Sequence, residues 1–238
     1  MSEGQSALST EEIDALLGGV DLPLGATKEY KYFTPTGDAV DRWVQYAKGS
    51  EDCFYLGLDE IDQRMRGVWP SDVLVVTGRA HSGKSAVLLS SLAWNLKEDD
   101  EFHGVIFTPD EPEVLVVAKL YALLYQRNLA EVEQALAAED PLYMAEIMEA
   151  KERYLDRLKI FPSALKFPQM SEAMRECEDY WQYKPKFVMV DFLEQLPMAS
   201  GYEGVSKVLK NLKEWTETDN LPVGLVHQSG KGSTRRSS

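Results

Sequence analysis

The chain has 238 residues, 44% of them hydrophobic, enough for one large domain or two small ones. Its formal net charge of −14 excludes a surface that is basic all over, but not nucleic acid, because basic groups can be confined to one loop or to the bore of a ring. Two cysteines, Cys53 and Cys177, lack metal-ligand spacing, no apolar run is long enough for a membrane span, and the acidic N-terminus is unlike a signal peptide, which together point to a reduced, cytoplasmic protein with no membrane partner.

Residues 1–50 are poorer in core-forming side chains and read as an N-terminal extension. Ser9-Thr10-Glu11-Glu12 is a capping box, in which Ser9 and Glu12 each satisfy the other's backbone N–H. Ile13, Leu16 and Leu17 then form an apolar stripe that Gly18-Gly19 stops. A helix this short is not stable alone, so it is expected to dock on its own core or on a neighbouring subunit. Residues 18–36 read as linker. Asp38 to Ala47 is a second amphipathic helix, with Val40, Trp43, Val44 and Ala47 at helical spacing. It packs on its own domain or on an adjacent subunit.

The remainder alternates. The β-branched run from Val73 to Thr77 predicts a buried strand, followed by a helix over Ala86 to Leu96. His103 to Thr108 is a second strand and Glu113 to Gln126 a helix. Residues 129–157 are helical and acidic, with Pro141 dividing two segments. Leu158 to Phe161 is a third strand, Met170 to Tyr183 a helix, and Phe187 to Asp191 a fourth strand. Glu203 to Thr218 is a helix whose Val205, Val208, Leu209, Leu212 and Trp215 share one face, and Val223 to Val226 is a fifth strand. Such alternation predicts an α/β fold, a mostly parallel sheet with helices on both faces and ligands at the carboxyl ends of the strands.

The first strand runs into Gly78-Arg79-Ala80-His81-Ser82-Gly83-Lys84-Ser85, the spacing G-x-x-x-x-G-K-[ST] of a phosphate-binding loop. The two glycines allow turns and close approach. Backbone N–H groups of residues 78–85 and a helix N-terminus converge on one concavity, which suits the phosphates of ATP. Lys84 would reach the terminal phosphates and Ser85 would ligate Mg²⁺. Asp191 ends an apolar strand and is placed to support the metal, against the simpler reading of a turn-forming Asp. Asp110 and Glu111 follow the second strand, where one can orient or deprotonate the attacking water; equally, both are acids in the first turn of a helix, favoured by its dipole. Gln228 follows the fifth strand, where an amide can sense the terminal phosphate; the plain alternative is an ordinary loop residue.

Taken in this order, Gly78 to Ser85, Phe107-Thr-Pro-Asp-Glu-Pro112, Val190-Asp-Phe-Leu193 and Val226-His-Gln228 resemble the RecA-type motor domain of DnaB-like replicative hexameric helicases. The Leu56-Gly-Leu-Asp59 to Asp72 stretch resembles that family too, and the likeness covers roughly residues 53–228. It implies a RecA-like P-loop NTPase over residues 51–228, with ATP and Mg²⁺ as cofactors. It also implies single-stranded DNA as partner, a hexameric ring as assembly, and contacts with replication proteins such as a primase or a loader. The family's globular N-terminal domain does not fit in 50 residues, which suggests a phage or plasmid version acting in a host cytoplasm.

Two departures stand out. Ungapped, the family's catalytic Glu falls on Asp110; related ATPases carry a Glu-Glu pair there, so Glu111 stays open. The chain also ends ten residues after Gln228, where the resemblance implies a DNA-binding loop followed by further strands and an arginine finger. Residues 229–238 form a basic, flexible tail in which Lys231, Arg235 and Arg236 suit DNA phosphate contacts, or equally a solvated tail. The expectation is a fragment that binds ATP yet hydrolyses it poorly for want of a trans arginine, a contribution that can reach about 10³-fold. Rival readings are another RecA-superfamily ATPase, a recombinase or KaiC type, and a non-catalytic module that docks on a helicase.

Overall fold

A computed structural model describes residues 53–191 and 201–228 without a break, with Leu193, Leu196 and residues 36–37, 39–40 and 43–44 besides. The chain divides into two units, Met1–Gly49 and Ser50–Ser238. In the first, the described residues are helical from Thr36, two residues ahead of the predicted Asp38. The Ser9 capping box and the tail with Lys231, Arg235 and Arg236 lie outside the described residues.

In the second unit the elements follow as α1 (Asp59–Met65), β1 (Val73–Gly78), α2 (Lys84–Glu98), β2 (Gly104–Phe107), α3 (Glu113–Tyr125), α4 (Leu129–Ala137), α5 (Pro141–Arg153), β3 (Leu158–Phe161), α6 (Phe167–Trp181), β4 (Phe187–Val190), α7 (Gly201–Asp219) and β5 (Val223–Gln228). The five strands form one sheet in the order β1-β5-β4-β2-β3, parallel at every pairing. Parallel strands need long crossovers, and the helices supply them.

Alternation along the strands divides the core into two layers. Ile106, Phe187, Met189 and Val226 pack with Leu88, Leu92 and Leu96 of α2 and with Val116, Leu120 and Leu124 of α3. Val105, Phe107, Val188, Val190, Val223 and Leu225 pack on the opposite side with Met170, Met174 and Cys177 of α6 and with Val208, Leu212 and Trp215 of α7. Both faces are therefore covered, as an all-parallel sheet requires. The acidic segment after α3 is two helices, each capped by its preceding side chain. Asn128 accepts from the Ala130 N–H, and Asp140 accepts from Leu142 with Pro141 in the first turn.

Two element boundaries differ from the sequence expectation. α1 has no apolar stripe to announce it; Asp62 creates it by accepting hydrogen bonds from the Leu56 and Leu58 N–H groups at 2.8 and 2.9 Å. α6 starts three residues early, because Pro168 fits a first helical turn and Gln169 accepts from the Lys166 N–H.

The segment before β1 is clamped to α2. Ser91 donates to the Leu56 carbonyl at 2.9 Å and Asn95 to the Tyr55 carbonyl at 2.6 Å, both from buried positions. Phe54 stacks on Phe187 with ring centroids 3.5 Å apart. That ring leaves no room beside Gly224 of β5, where an added Cβ would collide with Phe187 and approach Leu88 to 3.3 Å. Gly224→Ala should therefore lower unfolding stability by about 1–3 kcal/mol, the usual cost of overpacking, read as a shift of the urea midpoint at constant slope.

Candidate functional site

Strand register brings the predicted residues together. Phe107 pairs with Val190 across β2 and β4, so Thr108 and Asp191 leave the sheet side by side. Gly78 pairs with Gln228 across β1 and β5. β5 lies between β1 and β4, so all four strand ends open on one side of the sheet.

The loop from Gly78 to Gly83 closes tightly between β1 and α2. His81 and Gly83 have φ of 56° and 84°, and the second is a conformation that glycine adopts without strain. A Cβ on Gly78 would lie 2.7 Å from the Ser82 hydroxyl. The Arg79 carbonyl accepts from the Ser82 N–H at 3.3 Å and from the Lys84 ammonium at 2.6 Å. Gly83 occupies the cap position of α2 with no side chain over the first turn. N–H groups at that end are thus available to an anion, where the helix dipole favours one.

Facing the loop are the acids. Asp191 is buried, its N–H donates to the Phe107 carbonyl at 2.8 Å, and its carboxylate accepts from the Ser85 hydroxyl. Burial pushes its pKa above the ordinary Asp value, and the carboxylates of Glu111 and Asp110 push the same way. The Ser85 hydrogen bond and the Lys119 ammonium oppose the rise. Glu111 is half-buried and Asp110 exposed in the turn after β2. Thr108 is buried in the same turn, and its hydroxyl has no hydrogen-bond partner among the described residues.

These groups share a cavity of about 800 Å³, lined by Ala80 to Ser85, Thr108, Asp110, Glu111, Lys119, Asp191 and Gln228, among others. Its size suits a nucleotide. The donor set suits a polyphosphate with a hard divalent cation: unprotected N–H groups, two ammoniums, a hydroxyl on a buried carboxylate, and an orphaned hydroxyl. Gly78 and Arg79 do not line the cavity; they shape the loop from behind. Lys119 and Thr108 were not singled out from the sequence. The available signal for Lys119 was one cation in the run Val114 to Tyr125, which is otherwise free of charge.

The DnaB-like helicase C-terminal domain family matches residues 54–238. The chain belongs to that family. It is accordingly the motor core of a helicase, an ATP-hydrolysing enzyme, and the match separates it from the recombinase and KaiC-type alternatives. Two solved structures are similar in fold. One is an ATPase domain solved by itself, with a TM-score of 0.69 at 15% identity, covering 84% of this chain and 72% of that one. The other is a DnaB-like replicative helicase studied with its interactions with primase, with a TM-score of 0.70 at 15% identity, covering 96% of this chain and 54% of that one. The chain thus spans about half the length of the second. No curated protein matched. Among the described residues no helix is long and apolar enough to cross a membrane.

The raised pKa of Asp191 carries a sign for stability. Its charged form is less stable in the folded protein than in the unfolded chain, so it costs stability above its folded pKa, and the cost fades as pH falls through that value. Asp191→Asn should raise the melting temperature at pH 7 in chelator by about 2–4 °C, as roughly 1 kcal/mol does in a domain of this size. The gain should disappear on acidification below the ordinary carboxylate range. A variant that melts lower at pH 7 would contradict this.

Proposed function

We propose that this domain binds ATP with Mg²⁺ in the cavity and hydrolyses it to drive movement along single-stranded DNA during replication. The observation that carries the reading is the convergence of Lys84, Ser85, Asp191, Asp110 and Gln228 on one cavity. Residues 78–85 wrap the phosphates with backbone N–H groups. Lys84 leaves the Arg79 carbonyl for phosphate oxygens. Ser85 and Asp191 hold the metal, which when bound neutralises charge on the phosphates.

Asp110 serves as the base that orients the attacking water and takes its proton, with Glu111 as the alternative. Gln228, at the end of β5, contacts the terminal phosphate and relays its loss to the DNA-binding segment that follows, where Lys231, Arg235 and Arg236 contact DNA phosphates. The assembly is a hexameric ring acting with a primase or a loader, and its setting is the cytoplasm.

Lys84→Ala should abolish nucleotide binding in a fluorescent-nucleotide titration. Asp110→Asn should leave binding intact and reduce turnover by about 10²-fold or more, as loss of a general base does, while Glu111→Gln reduces it far less. The opposite ranking in steady-state ATPase assays would move the base to Glu111. Turnover that single-stranded DNA fails to stimulate, in this chain and in a full-length form, would count against the motor coupling.

A further inference from the structure

Lys119 lies two turns into α3 and is the only charged residue between Val114 and Tyr125. It does not project into bulk water. Its ammonium turns back to the mouth of the cavity and ion-pairs with Glu111. The two partners differ in freedom. Glu111 belongs to a short turn whose N–H donates to the Thr108 carbonyl, whereas Lys119 sits on a flexible four-carbon stem with three rotatable donors. If either moves, it is Lys119. The second cavity lysine is arranged in the same way, with Lys84 on the Arg79 carbonyl. Both cations are therefore engaged by protein acceptors within reach of a phosphate chain.

We propose that the Lys119–Glu111 ion pair is a latch that distinguishes a nucleoside triphosphate from a diphosphate, with Lys119 leaving Glu111 for the terminal phosphate when a triphosphate occupies the cavity. The proposal rests on the reading of this cavity as a nucleotide site. A half-exposed carboxylate–ammonium pair is weak, and a phosphate oxyanion beside a metal is the stronger acceptor, so the exchange runs toward the ligand. A diphosphate lacks the terminal group and leaves the pair closed. The pair thus responds only to the state that is to be sensed, as a ligand-driven change must. In this arrangement Glu111 is the counter-ion that Lys119 returns to after the terminal phosphate has gone, and Asp110 is left to act on water.

The test is equilibrium titration of the 238-residue chain in Mg²⁺ with two fluorescent probes, a non-hydrolysable triphosphate analogue and the corresponding diphosphate. Lys119→Met should weaken the triphosphate about tenfold, as loss of one charge-assisted hydrogen bond does, and change the diphosphate by less than about twofold. Lys119→Arg should restore most of the loss. Glu111→Gln, which removes the competing acceptor, should tighten the triphosphate by about threefold, and the double variant should bind like Lys119→Met alone. Equal weakening of both probes by Lys119→Met, or a weaker triphosphate in Glu111→Gln, would overturn the latch while binding still depends on Lys84. Binding by Lys84→Ala equal to that of the unaltered chain would overturn the nucleotide reading, and the latch with it.

Discussion

Parallel pairing in register is the constraint on which the rest depends. Each strand delivers one residue type at its carboxyl end: a glycine from β1, a threonine and two acids from β2, a buried acid from β4 and an amide from β5. Pairing Gly78 with Gln228 and Phe107 with Val190 brings those ends level. A slip of one residue would move every strand side chain to the opposite layer, exchanging Met189 with Val190 in two tightly filled cores. Helix α2 must also keep its first turn beside the loop. Packing of Leu88, Leu92 and Leu96 fixes its height over the sheet, and Ser91 and Asn95 fix its position along its axis by holding the backbone at Leu56 and Tyr55. The loop between β1 and α2 is thus short, strained at few points and held at both ends.

The site carries charge arrangements that would be wasteful in a purely structural context. Asp191 is buried beside two other carboxylates, which raises its pKa instead of stabilising its charge. A domain selected for stability alone would replace it. Among the described residues its compensation comes from a neutral hydroxyl, Ser85, and from Lys119. A bound cation would convert the same carboxylate from a cost into an anchor, and the Ser85 hydroxyl already stands in hydrogen-bonding contact with it. Strain of this kind marks places where folding and function make different demands.

Much of this was legible in the sequence for physical reasons that differ by element. The strands were legible because buried parallel strands need unbroken β-branched runs, and Val73 to Thr77 and Phe187 to Val190 have them. The phosphate loop was legible because its backbone shape needs glycine at defined positions, and Gly83 adopts that conformation. Asp191 stood out as an acid closing an apolar run. Helix α1 was hidden because a side chain acting on the backbone, Asp62, creates it, and no periodicity reports that. Lys119 was hidden for another reason. Apolar periodicity marks α3 as core, and only the turn from Thr108 to Pro112 folds Glu111 back over the second turn of that helix. Separation along the chain carries no trace of that proximity.

Strand order bears on how the nucleotide state would leave the site. Of the five described strands, β5 alone lies between the strand that ends in the phosphate loop and the strand that ends in Asp191. It pairs with both, over Val73 to Gly78 on one side and Val188 to Val190 on the other. A movement of either ligand-bearing strand is therefore felt first by β5, because close-packed sheets transmit displacement and do not absorb it. Val223 to Val226 are buried, so the strand is rigid up to the point where Gln228 emerges exposed at the cavity. Reading Gln228 as a sensor draws its support from this position. An amide on an outer strand such as β3 would touch neither neighbour of the phosphates, whereas one on β5 touches the cavity and begins the segment that leads away from it.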